Sequence, residues 1–152
     1  MERIGLHNSA LVVVELIAIA AASVSLPLVA GAQPGKWVGT INQLSTIAGA
    51  ADLTVESKGE KQSKAKIVFR NGKRDTRVAW DIVAGRCREE GAPIAPQATF
   101  AQVQTAMDGS GTGTATTPKL ESGKLYYFRV FDPQEQASDA SAFGCGNISE
   151  KL

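Results

Sequence analysis

The chain has 152 residues, with 16 Lys+Arg against 15 Asp+Glu and a formal net charge of +1. That length suits one domain with an appendage, and the even charge balance, with no basic stripe interleaved with aromatics, excludes the footprint of a nucleic-acid binder. A single histidine, His7, lies near the N-terminus, and 15 glycines with plentiful Thr, Ser and Ala point to a small all-β domain.

Residues 10–32 read "ALVVVELIAIAAASVSLPLVAGA", preceded by Arg3. An apolar run of about 20 residues is long enough to span a bilayer as one helix, longer than the usual core of an export signal. Arg3 on its N-terminal side favours a cytoplasmic N-terminus. Glu15 sits inside the run, and an ionisable group there needs a neighbouring polypeptide, a pigment or the headgroup boundary as a partner. Ala30-Gly31-Ala32 followed by Gln33 also fits the small-x-small pattern of signal-peptidase cleavage. Two outcomes are therefore open. Either 1–32 stays as a signal anchor, or cleavage after Ala32 frees a soluble module.

Residues 33–36 form a short Pro/Gly linker, and 37–152 form the exported domain. Short β-like runs follow: Lys36–Leu44, Asp52–Ser57, and the alternating Lys64–Arg70. Asn71-Gly72 between Lys64–Arg70 and Thr76–Val83 predicts a hairpin, since both residues accept positive φ. A loop with Pro93 and Pro96 leads to Thr99–Met107, and "DGSGTG" (Asp108–Gly113) reads as a turn before Thr114–Thr117. "LYYFRVF" (Leu125–Phe131) is the clearest strand, and Phe143–Ser149 closes the chain. About eight short strands predict an all-β, eight-stranded Greek-key sandwich or barrel.

Cys87 and Cys145 both follow the export segment, so an oxidising compartment favours a disulfide over two buried thiols. In Leu125–Phe131, Tyr126, Phe128 and Val130 share one face, and Leu125, Tyr127, Arg129 and Phe131 share the other. One face must be core. The other meets a partner or is packed by long loops. No Ser-His or Cys-His pair is available for nucleophilic catalysis. Glu89-Glu90 reads as a solvated loop and "GSGTG" as a β-turn with no helix or lysine behind it. Asn147–Ser149 matches a glycosylation sequon by pattern alone.

Residues Thr76–Ser149 resemble the copper/zinc superoxide dismutase family. "WDIVAGRC" (Trp80–Cys87) is similar to the bacterial "HIHENGSC", "DGSGTGTATT" to the "DG-x-A-x-V" stretch, and "SAFGCGNIS" to "SRLACGVIG". The resemblance implies an eight-stranded Greek-key barrel and half-cystines at Cys87 and Cys145. The departures fall on function. Trp80, Ile82 and Phe131 stand where the family has copper histidines, Ala142 stands at its guiding arginine, and the zinc loop is reduced to "REEGAPIAPQ" (Arg88–Gln97). Copper redox chemistry needs imidazole donors, so no metal, cofactor or enzymatic activity is expected. In the family those histidines point outward. Here Val78, Trp80 and Ile82 share a face, which is either core or, with Phe131, an exposed apolar patch.

The function expected from these features is that of a non-catalytic, single-pass accessory subunit of the inner membrane. Its domain is periplasmic and braces other subunits of a complex, of the kind added to bacterial photosynthetic reaction-centre and light-harvesting assemblies. Glu15, Trp80, Ile82, Tyr127 and Phe131 are the candidate partner contacts, and residues 10–32 the lipid contact. A soluble exported binding module is the alternative.

Overall fold

The computed structural model describes residues 35–45 and 49–151. Eight strands carry these residues: β1 (Lys36–Ile41), β2 (Ala50–Lys58), β3 (Gln62–Arg70), β4 (Arg77–Ala84), β5 (Val103–Gln104), β6 (Gly111–Pro118), β7 (Tyr126–Phe131) and β8 (Ala142–Lys151). All strand pairings are antiparallel, in the order β5-β4-β7-β8-β1-β2-β3-β6. A tight turn joins the outer strands β5 and β6, with the Ala106 N–H donating to the Ser110 carbonyl at 2.7 Å and Gly109 at φ 78°. The sheet thereby curls into a nearly closed barrel, and this closure makes β7-β4-β5-β6 a Greek key. The barrel belongs to the unit Ala32–Leu152.

Alternation along each strand builds the core. Ala51, Leu53 and Val55 of β2 and Ala65, Ile67 and Phe69 of β3 are buried, while Glu56, Lys64 and Lys66 between them face solvent. Trp80 is fully buried among these side chains, edge-on to Phe100 with ring centroids 5.0 Å apart. Its indole N–H donates to the Ala101 carbonyl at 2.9 Å, so the ring is buried without an orphaned donor. Gly113 on β6 makes the space. A Cβ there would sit 2.6 Å from a Val103 methyl and 3.0 Å from the Trp80 indole nitrogen.

Asn71-Gly72 does not make the expected hairpin. Asn71 does take positive φ, 54°. However, β3 pairs with β2 and β6, and β4 pairs with β5 and β7. Both edges of β3 are thus already occupied, and the connection must cross to another part of the barrel. The Gly72 N–H instead donates to the Gly109 carbonyl at 3.0 Å, which stacks this crossover on the β5–β6 turn. The strand expected over Thr99–Met107 is reduced to Val103–Gln104, with a short 3-10 turn over Gln97–Thr99 before it.

Among the described residues, no helix is long and apolar enough to cross a membrane. The helix expected over 1–32, with Glu15, lies outside the described residues.

Candidate functional site

Strands β4 and β7 lie side by side with Ala79 opposite Phe131, Trp80 opposite Val130, Asp81 opposite Arg129, Ile82 opposite Phe128 and Val83 opposite Tyr127. Opposed residues share a face. Trp80, Ile82, Phe128 and Val130 therefore point into the core, and Ala79, Asp81, Val83, Tyr127, Arg129 and Phe131 point away from it. An apolar patch of Trp80, Ile82 and Phe131 cannot form, because Phe131 is on the opposite side of the sheet. Four of the five candidate partner contacts lie on these two strands, and the fifth, Glu15, lies outside the described residues. Trp80, Ile82 and Tyr127 are 0% exposed and Phe131 is 2% exposed, so none offers surface to a partner.

The outward face is closed by two loops. Residues 85–96 fold back along β4. The Ala84 N–H donates to the Ala92 carbonyl and the Ile94 N–H to the Ile82 carbonyl, each at 3.0 Å, and Val83 bridges to Pro93. Only glycine fits at 91, since a Cβ there would lie 1.8 Å from the Ala84 carbonyl oxygen. Residues 132–141 approach from the other side and carry Asp139.

Beneath these loops lies a cluster of charges. Arg129 donates from Nε to Asp81 Oδ1 at 3.0 Å and from Nη2 to Asp81 Oδ2 at 2.6 Å. Its Nη1 donates to Asp139 Oδ1 at 3.1 Å. The Tyr127 hydroxyl donates to the same Asp139 oxygen at 2.8 Å and accepts the Gly91 N–H at 3.3 Å. Asp139 Oδ2 accepts the Arg88 N–H at 2.9 Å. Asp139 thus ties both loops to Arg129. The side chains of Asp81 and Arg129 are 1% and 4% exposed, and no buried side-chain polar atom among the described residues lacks a partner. Burial opposes the charge on Arg129, but the Asp81 and Asp139 hydrogen bonds outweigh it and push the guanidinium further up. Burial also pushes the Tyr127 phenol up, and its bond to Asp139 adds to the shift.

A disulfide between Cys87 and Cys145 fastens the first loop to β8 across 58 residues. The Cys87 N–H donates to Asn147 Oδ1 at 2.9 Å beside it. A cleft of ≈ 450 Å³ opens at this staple, with Ile41 and Phe143 on its apolar side and Arg88 and Asp139 on its polar side. No group of three or more His, Cys, Asp or Glu side chains among the described residues could hold a metal ion.

Comparison with known proteins finds no matching family model, no matching curated protein and no matching solved structure.

The alternation of Leu125–Phe131 puts Arg129 on a strand face with Tyr127 and Phe131, but the sequence assigns neither it nor Asp81 a role. The available signal was a lone arginine within a strand of aromatics and a lone aspartate within "VAWDIV". Buried charges of this type are rare unless paired. Asp139, in a polar loop, carried no such signal.

Proposed function

We propose that this chain is a non-catalytic, membrane-anchored accessory subunit. Its barrel stands on the periplasmic side of an inner membrane and braces other subunits of a membrane complex, of the reaction-centre or light-harvesting kind. The barrel is read as a copper/zinc superoxide dismutase-like domain that has lost the metal ligands. Two features support that relationship. The strand order contains the Greek-key crossover expected of the family, and the disulfide joins the loop after β4 to the last strand.

The observation that carries the non-catalytic reading is the Asp81–Arg129–Asp139 cluster. The outward face of β4 and β7, where the family's histidines would point, is filled by charges that satisfy one another under two closed loops. The Asp81 and Arg129 side chains are 1% and 4% exposed and spend their charges on each other rather than on a reactant, and a barrel stapled by a disulfide suits bracing. Anchoring rests on the apolar run at 10–32, in which Glu15 calls for a neighbouring polypeptide, a pigment or the headgroup boundary as partner.

Three measurements test this reading. Native membranes solubilised in mild detergent should yield the chain together with larger membrane subunits. N-terminal sequencing should start near Met1, and elemental analysis should show no stoichiometric copper or zinc. Ala30-Gly31-Ala32 favours a second reading, a soluble exported binding module. A mature N-terminus at Gln33, with the protein free of membranes, would select that one.

A further inference from the structure

We propose that the barrel end carrying Gly35 docks on anionic lipid headgroups, with Leu125 entering the headgroup layer. This rests on the anchored reading above.

One end of the barrel gathers Gly35, the β2–β3 turn, the β6–β7 loop and the end of β8. Lys36 pairs with both Glu56 and Lys151, and Gln62 lies opposite Pro118. The Lys119 N–H donates to the Lys61 carbonyl at 3.0 Å, and the Ser122 hydroxyl to Glu150 at 2.6 Å. Leu125 lies at this end, 51% exposed, with its carbonyl accepting the Gly85 N–H at 2.9 Å. Lys58, Lys61, Lys119 and Lys151 are exposed there and form no ion pair among the described residues. Together with the exposed Arg86 beside Gly85 they outnumber Glu60, Glu89, Glu90 and Glu150, while the ion-paired charges, Lys36 with Glu56 and Lys124 with Glu121, cancel pairwise.

Chain length selects the occupant. Between Ala32, the last residue of the apolar run, and Gly35 the chain can reach at most roughly 11 Å. The headgroup layer is roughly 5–8 Å deep on each side of a bilayer. A domain tethered this closely keeps the end bearing Gly35 within about a Debye length of the charged surface, where lysines are attracted to anionic lipids. An exposed leucine among lysines matches a surface that is charged outside and apolar within. The β5–β6 turn, with Met107 69% exposed, lies at the opposite end. The nine residues of β2 and of β3 run roughly 26 Å along the strand, which with the tilt of barrel strands sets the two ends roughly 20 Å apart.

The test uses the full chain in vesicles of brominated phosphatidylcholine, with or without phosphatidylglycerol. Trp37 and Trp80 are buried and give the background. A Leu125→Trp variant should be quenched several-fold above that background when phosphatidylglycerol is present, and a Met107→Trp variant should not. Joint substitution Lys58→Glu, Lys61→Glu and Lys119→Glu, on exposed positions that leave the fold intact, should remove most of that quenching. Equal quenching at both ends, or none at 125 in protein that resists carbonate extraction, overturns the docking while leaving the anchor standing. Release of the protein by carbonate overturns the anchor itself and the docking with it.

Discussion

Arg129 of β7 and Asp81 of β4 meet directly across the strand pair, Nη2 to Oδ2 at 2.6 Å and Nε to Oδ1 at 3.0 Å, on a face buried by loops rather than by the core. The pair is bidentate and out of solvent, so its partners depend on each other. Asp81→Ala should cost about 3–5 kcal/mol, because Arg129 is then left buried with its main counter-charge gone. The joint replacement Asp81→Leu with Arg129→Met should cost clearly less than the single change. Urea unfolding followed by the fluorescence of Trp37 and Trp80 measures both. Equal losses for the single and double variants would show that the pair is not coupled.

Alkaline pH should destabilise the barrel through Tyr127. Its folded value lies above the ordinary one, with burial as the main cause. The stabilising contribution is therefore complete below about pH 10, the unfolded value. It is lost as pH rises from there toward the folded value, since the unfolded chain releases the proton first. Tyr127→Phe should flatten the fall in stability above pH 10. It should also lower stability at neutral pH by about 1–3 kcal/mol, because Asp139 and the Gly91 N–H lose a partner. A pH series of urea midpoints for both proteins checks the slope.

Reduction of the disulfide should lower stability by about 4 kcal/mol, the chain-entropy value for a closure of 58 residues. The loosening should concentrate in the first part of 85–96, where the Cys87–Asn147 and Arg88–Asp139 bonds flank the staple. Hydrogen exchange with and without reductant would show faster exchange there and little change in β2 and β3. Uniform acceleration would mean that the staple holds the whole barrel rather than the loop.

Gly91→Ala should displace the covering loop, since its Cβ would collide with the Ala84 carbonyl. An overpacking loss of about 1–3 kcal/mol is expected, with faster exchange at the 91 and 92 amides. Gly59→Ala, where a Cβ meets nothing within 4 Å, should leave those amides unaffected despite its own positive φ of 73°. Unchanged exchange in the Gly91→Ala variant would show that the loop has room to shift.

Trp80→Ala should cost about 3–5 kcal/mol as a core deletion. Trp80→Phe should cost less. It keeps much of the ring against Phe100 but leaves the Ala101 carbonyl without its donor. Thermal melting ranks the two, and a folded Trp80→Phe variant should co-purify with membrane partners as the wild type does. Lost co-purification with unchanged stability would put Trp80 at an interface.

The sequence by itself determined that the domain is all-β with about eight strands, because two-residue alternation and turn residues are local signals. It determined that Tyr126, Phe128 and Val130 share one face and Tyr127, Arg129 and Phe131 the other, because side chains alternate along any strand. It also pointed to the Cys87–Cys145 bond, which the structure contains. Only the tertiary structure decided which face is core. In β4 and β7 both faces are apolar enough to be buried, and alternation marks two sides without saying which is inside. Asn71-Gly72 shows the same boundary. Positive φ at Asn71 is a local property, but a hairpin also needs β4 to take an edge of β3, and β2 and β6 hold both. The charge cluster was the least legible part. It joins Asp81, Arg129 and Asp139 from separate segments, and its energy exists only where the fold excludes water from all three.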